Sequence, residues 1–277
     1  MRVTTLAGES VPVLGQGTWH LGDRRELRSQ EVAALQLGID LGLALIDTAE
    51  MYGDGASERL VGQAIGGRRD QVFLVTKVLP GNAGSRRSIV AACERSLRNL
   101  RVERIDLYLL HWRQGEDLPV VVATFEELIR MGKIRHWGVS NCDVADLEAV
   151  VGLPEGPRVA CDQVLYNASR RGIEHDLLSW ARQRKIVVMA YTPVEQGRIL
   201  GQAVLREVGA RHGATPAQIA LAWVLRHEGV VAIPRARSIE HVRENARAAD
   251  IQLTPRDLAD IDRAFPPPSG ARPLEMI

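Results

Sequence analysis

The chain has 277 residues, 45% hydrophobic and 25% charged, with a formal net charge of +1. That suffices to bury a large core and leaves no basic field to recruit nucleic acid or an anionic membrane. No apolar run is long enough to span a bilayer, residues 1–10 lack the apolar centre of a signal peptide, and the three cysteines, Cys93, Cys142 and Cys161, are too scattered for a disulfide framework or zinc knuckle, so a reducing, cytoplasmic setting is expected.

Residues 2–13 hold two short strand-like pieces around Ala7-Gly8-Glu9-Ser10, a hairpin signal. Val13 to Trp19 reads as a strand running into a loop. Gly15 and Gly17 hint at a dinucleotide fingerprint, but His20 stands where its third glycine belongs, and no helix clearly opens there. A strand-then-helix rhythm of about 30 residues then sets in, typical of βα units. Strands are expected at 44–46, 72–76, 105–110, 134–139, 159–162, 186–190 and 230–233. Helices are expected at 29–41, 57–65, 85–100, 119–131, 144–151, 175–184, 199–226, 238–248 and 255–264. Ser57 is a plausible N-cap. The long stretch 199–226 should break before Thr215-Pro216, a cap followed by proline at the first helical position. Pro266-Pro267-Pro268 stops the last helix, and 269–277 should be irregular.

Eight strand–helix units close best as a (β/α)8 TIM barrel with an N-terminal hairpin and two extra helices, in a single domain spanning 1–277. A doubly wound open sheet is the competing fold. The deciding feature is chemical. A polar or charged residue ends nearly every strand: Thr18, Asp47, Lys77, His111, Ser140, Gln163, Tyr191 and Arg235. In a closed barrel these tips converge on one mouth, whereas in an open sheet they spread along an edge. One strand-tip Lys or His is usually loop chemistry, but a register of eight is hard to ascribe to chance.

Four of these side chains suggest a reaction. A free Tyr is a poor acid at neutral pH, with a pKa of about 10. An ammonium beside Tyr52 would favour the phenolate, and a lowering of about 2 units is worth ~2.7 kcal/mol toward proton donation. Asp47 would hold Lys77 charged and in place, and His111 could donate a hydrogen bond to a carbonyl oxygen. Such a set suits carbonyl reduction, given a source of hydride.

From Gly15 to about Asn245 the chain resembles the aldo-keto reductase family. The matching motifs are Gly17-Thr18-Trp19, Ile46-Asp47-Thr48-Ala49 with Tyr52-Gly53, Thr76-Lys77, Leu110-His111-Trp112, Gly138-Val139-Ser140-Asn141, Gln163, Tyr191 with Pro193, Ile233-Pro234 and Glu244-Asn245. In finer detail it looks like the small bacterial members that reduce methylglyoxal and similar aldehydes. The resemblance implies a barrel that binds NADPH in extended form, with NADH a weaker substitute, and a small carbonyl compound as substrate. It implies Tyr52 as proton donor, Lys77 and Asp47 as its tuning pair, and His111 orienting the carbonyl. Gly17 and Thr18 would border the cofactor. Ser140, Asn141 and Gln163 would hold the nicotinamide amide, and Tyr191 would stack on the ring. Thr192, Val194 and the loop to Gly197 would pass the pyrophosphate. Ile233 and Arg235 would lead to the 2′-phosphate, and Glu244 and Asn245 to the adenine. Trp19 and Trp112, with Tyr52 and His111, would line the substrate pocket, with the tail as a further wall. Taken outside this series, Ser140-Asn141 would pass for a plain turn and Tyr191 for a core aromatic.

The chain departs from the family pattern in places. Asp54-Gly55-Ala56 lengthens the loop after Tyr52. The usual phosphate-binding Lys-Ser is Arg235-Ala236, and His241 replaces a downstream Arg, with Arg237 able to compensate. No histidines show metal-ligand spacing. A monomer is expected. The alternative within the same fold is a regulatory subunit that binds the cofactor as a redox sensor without turnover.

Overall fold

The computed structural model describes residues 1–277. Strands β1 (Val3–Leu6) and β2 (Glu9–Pro12) pair antiparallel about Ala7 and Gly8, both with positive φ. Eight parallel strands follow, each paired to the next in chain order: β3 (Gln16–Gly17), β4 (Leu45–Asp47), β5 (Phe73–Val78), β6 (Ile105–Leu110), β7 (Ile134–Ser140), β8 (Cys161–Leu165), β9 (Val187–Tyr191) and β10 (Val230–Ala232). The ring closes because Leu14 bridges Ala232 in parallel, while the Gly17 N–H donates to the Pro234 carbonyl at 3.0 Å. Gly17 is required there: a Cβ would lie 2.6 Å from the Ile233 carbonyl oxygen. The expected strand Val13–Trp19 is thus a two-residue strand preceded by a single bridge, because closure needs only that length.

Ten helices surround the barrel: α1 (Arg28–Asp40), α2 (Ala56–Ala64), α3 (Arg86–Leu100), α4 (Leu118–Arg130), α5 (Val144–Val151), α6 (Leu177–Gln183), α7 (Ala203–His212), α8 (Pro216–Val224), α9 (Ile239–Ala248) and α10 (Pro255–Ala264). Their apolar faces and the outward side of the strands form one continuous core, with Trp137, Trp223 and Tyr108 among its fully buried members. A second cluster fills the barrel itself, from Leu45, Val75 and Leu107 to Met189 and Val231, and the hairpin's Leu6 and Val11 join it as a floor. No helix is long and apolar enough to cross a membrane. Residues 266–277 carry no helix or strand.

Thr215 caps α8 as expected, and Gln218 completes a capping box with it. Ser57 does not cap α2. Gly55 is the N-cap, at φ 76°, a conformation that costs glycine little, so the helix starts a residue early. The Ser57 hydroxyl instead donates to Thr18 Oγ1 at 2.7 Å and accepts from Thr48 Oγ1 at 3.1 Å, stitching the β3 and β4 tips together. Gln163 lies in the middle of β8, which runs on to Leu165, so its side chain reaches the mouth from within the barrel.

Candidate active site

β4 ends on Asp47, and the loop it leads into carries Tyr52. Lys77 is the penultimate residue of β5 and fully buried. Such an ammonium is tolerable only if its donors are met. Its Nζ donates to Asp47 Oδ2 at 2.8 Å, to the Thr48 carbonyl at 2.8 Å and to the Tyr52 hydroxyl at 3.3 Å, and lies 4.9 Å from the centre of the Tyr52 ring. Glu50 secures the intervening loop, accepting from the Leu79 N–H at 2.7 Å and the Asn82 amide at 3.0 Å while pairing with Arg95. His111 follows β6, buried edge-on to Tyr52 with ring centres 5.8 Å apart, and its Nδ1 has no hydrogen-bond partner.

Three charge states follow from these neighbours. Burial pushes Lys77 toward neutrality, but Asp47 and Tyr52 more than offset it and hold its pKa above the usual lysine value. Burial raises the Tyr52 phenol above its ordinary pKa, and Lys77 pulls it down without cancelling that rise. The lowered phenol expected from the charge pair alone is therefore not what the site holds: removal from water outweighs the ammonium. Burial, reinforced by Lys77, pushes His111 down to about 2, so it is a neutral imidazole with one N–H.

Gln163 and Asn141 continue the network around the mouth. The Gln163 Nε2 donates to Asp47 Oδ1 at 2.7 Å, so the two carboxylate oxygens take separate donors. Ser140 Oγ donates to the Gln163 carbonyl at 2.7 Å. Asn141, at φ 57°, donates to the His111 carbonyl at 3.1 Å and accepts from the Tyr191 hydroxyl at 2.8 Å. Thr18 Oγ1 donates to the Asp47 carbonyl at 2.9 Å. Strand tips far apart in sequence thus share one hydrogen-bonded ring.

The remaining residues singled out in the sequence lie outward from that ring. Trp19 is 39% exposed, and Trp112 is half-buried with its ring centre 4.8 Å from His111. After β9 the chain turns through Thr192 (φ 52°), half-buried Val194, Glu195 (φ 50°), Gln196 (φ 53°) and Gly197 (φ 88°). Buried Glu195 braces this loop, accepting from the Asn167 amide at 2.7 Å and pairing with Arg198 and Arg170. Arg170 also pairs with Glu275 at 2.6 Å, which ties the tail to the same loop. Beyond buried Ile233, exposed Arg235 makes no ion pair and donates to the Trp19 carbonyl at 3.4 Å, while Ala236 brings no hydroxyl. Arg237 pairs with Glu31 at 3.3 Å. His241 lies exposed in the first turn of α9 with its N–H capped by Ser238; Glu244 accepts from Thr215, and Asn245 is buried. Glu50, Glu195, Arg170 and Glu31 were not singled out from the sequence, since most of their partners stand far off in the chain: Leu79 for Glu50, Asn167 for Glu195, Glu275 for Arg170 and Arg237 for Glu31. No group of three or more His, Cys, Asp or Glu side chains is placed to hold a metal ion.

A closed parallel barrel whose strand tips gather a Tyr, a buried Lys–Asp pair and a neutral His defines an oxidoreductase of the aldo-keto reductase type. The profile of the Aldo/keto reductase family matches residues 13–265, and the chain belongs to that family. It is 50% identical to methylglyoxal reductase YeaE of Escherichia coli (strain K12), over 97% of this chain and 96% of that one. The crystal structure of an aldo/keto reductase from Klebsiella pneumoniae in complex with NADP and acetate superposes with a TM-score of 0.96 at 48% identity, covering 99% of each chain. An aldo-keto reductase from Klebsiella pneumoniae in complex with NADPH gives the same TM-score and identity over 100% of each chain.

Proposed function

We propose that this protein is a single-domain, monomeric enzyme of the cytoplasm that reduces small aldehydes, including 2-oxoaldehydes such as methylglyoxal, to alcohols with NADPH, NADH serving less well. The observation that carries this reading is the contact of the Tyr52 hydroxyl with the Lys77 ammonium at 3.3 Å, beside neutral His111. The likeness to a methylglyoxal reductase supports the substrate class, and the likeness to proteins complexed with NADP or NADPH supports the cofactor.

The residues present fit such a cofactor. Arg235 is an exposed guanidinium with no carboxylate partner where a 2′-phosphate would lie, and the buried His111 Nδ1 stands without a partner beside Tyr52, where the carbonyl would be reduced. Ser140, Asn141 and Gln163 would hold the nicotinamide amide, Tyr191 the ring, the 192–197 loop the pyrophosphate, Arg235 the 2′-phosphate, and Glu244 and Asn245 the adenine. NADPH, when bound, supplies the hydride that goes to the carbonyl carbon. Tyr52 supplies the proton to the carbonyl oxygen. Its raised pKa keeps that proton in place until the oxygen becomes basic. Lys77 then stabilises the phenolate left behind, and Asp47 keeps Lys77 charged. His111 donates its N–H to the carbonyl oxygen and fixes its direction. Trp19 and Trp112 wall the substrate.

The test is turnover: purified protein, NADPH and a panel of carbonyls including methylglyoxal and an aromatic aldehyde, with loss of the reduced cofactor's absorbance as readout. Consumption of NADPH with aldehydes is expected. Tight NADPH binding without turnover on any of the panel would favour a cofactor-sensing subunit instead.

A further inference from the structure

Arg237 sits two residues beyond Arg235, where a second cation could reach a 2′-phosphate. Its contacts point elsewhere. Glu31, on α1, is a carboxylate only 1% exposed, and its ion pair is with Arg237, Nε to Oε1 at 3.3 Å. The other oxygen, Oε2, accepts the backbone N–H of Gly22 at 2.8 Å. The Arg237 Nη2 donates to the backbone carbonyl of His20 at 2.8 Å. A half-buried arginine and a buried carboxylate thus grip the same loop twice, at a donor and at an acceptor two residues apart. The held segment carries Trp19, and His20 stands at φ 62°, so the turn needs outside support to keep a non-glycine residue left-handed. Turning Arg237 toward a phosphate would strand the Glu31 carboxylate away from water, which a protein avoids.

We propose that Arg237 is a positioning residue of the substrate pocket and not a phosphate ligand: with Glu31 it fixes the loop that presents Trp19 to the aldehyde. Cofactor discrimination then falls to Arg235, while Arg237 sets the depth of the Trp19 wall and hence affinity for the carbonyl. The inference rests on the proposed reductase reading for Trp19, but its structural half can be measured in cofactor-free protein.

The experiment compares Arg237→Met, Arg237→Lys and Glu31→Gln with the native chain, with Arg235→Met as the cofactor control. Three quantities are read: hydrogen exchange over residues 18–23 without cofactor, dissociation constants for NADPH and NADH, and kcat and KM for a small aldehyde. Arg237→Met and Glu31→Gln should both speed exchange in 18–23 and raise KM roughly tenfold, as the loss of about 1.4 kcal/mol of contact with the Trp19 wall would. Arg237→Lys should restore part of both. The ratio of NADPH to NADH affinity should stay within about twofold in all three, well under the tenfold that 1.4 kcal/mol of lost contact would bring. A roughly tenfold fall of that ratio in Arg237→Met, or unchanged exchange over 18–23, would overturn the proposal. Glu31→Gln keeps an acceptor for Gly22 and touches no cofactor, so it decides the matter if Arg237→Met does not fold. An unchanged ratio in Arg235→Met would overturn the assignment of cofactor discrimination to Arg235, and no turnover at all would count against the reductase reading; both leave the exchange result standing.

Discussion

At the scale of single residues, the site keeps one charge that burial would remove and lets burial hold two other groups neutral. Lys77 is held cationic by Asp47, and Tyr52 keeps its proton because it is removed from water. Tyr52→Phe preserves the ring and deletes the proposed acid, so kcat should fall by roughly 10²–10⁴, the range of a general acid's contribution. NADPH affinity, measured by fluorescence titration, should be unchanged; a Phe variant with near-native rate would remove Tyr52 from the role. His111, with a pKa pushed down to about 2, cannot titrate in the working range. At saturating NADPH and aldehyde, kcat should therefore show no inflection near the ordinary histidine value of about 6.5. An inflection there that disappears in His111→Asn would contradict the neutral imidazole.

At the scale of elements, the helix ends carry measurable weight. Thr254 caps α10 in a capping box with Asp257, and Asp257 also meets Arg211 at 2.7 Å and His212 at 2.8 Å, fastening α10 to α7. Burial alone would raise the Asp257 pKa, but His212, Thr254 and Arg211 together hold it below the usual carboxylate range. A carboxylate depressed on folding stabilises above its unfolded pKa, about 3.9, and that contribution is lost as pH falls through the folded value. Asp257→Asn should thus lower unfolding stability in urea at pH 7 by about 2–4 kcal/mol, and the gap from the native chain should narrow below about pH 4. A gap independent of pH would mean the loss is one of packing. The helices were legible because their stripes and caps are local, as at Thr215. Ser57 misled because the cap is set by a left-handed backbone at Gly55, inside the inserted Asp54-Gly55-Ala56, and backbone sign is invisible in a serine. The bracing pairs Glu50–Arg95 and Glu31–Arg237 were not legible, since nothing in either segment announces a partner 45 or about 200 residues away.

At the scale of the whole molecule, closure of the barrel turns a list of strand tips into a site. Gln163 reaches Asp47 across 116 residues of sequence, which an open sheet would not allow. That convergence could be read in advance because chemistry recurred at or near one end of nearly every strand, whereas the floor formed by Leu6 and Val11 depends on where a hairpin folds over the opposite end. The tail was legible only as irregular; its clasp, Arg170 to Glu275, joins it to the loop after β9.

The three cysteines give this architecture a built-in clock. Cys93, on α3, has its thiol pushed up to about 12 by burial, and burial also drives Cys142 and Cys161 well above the ordinary thiol value. Thiolate is the form that electrophiles attack, so the folded chain offers almost none, while an unfolded thiol near 8.5 offers a good deal at pH 8. Iodoacetamide at pH 8 should leave the native protein unlabelled for as long as it takes to alkylate the urea-denatured chain fully. In intermediate urea the order of labelling, followed by mass spectrometry, reports which layer opens. Simultaneous loss of all three thiols is expected of a barrel that opens as one unit, and Cys93 labelled well ahead of Cys161 would mean that the helical shell peels from an intact ring. For a protein proposed to handle reactive dicarbonyls, the same chemical silence keeps its own sulfur from becoming a target of its substrate.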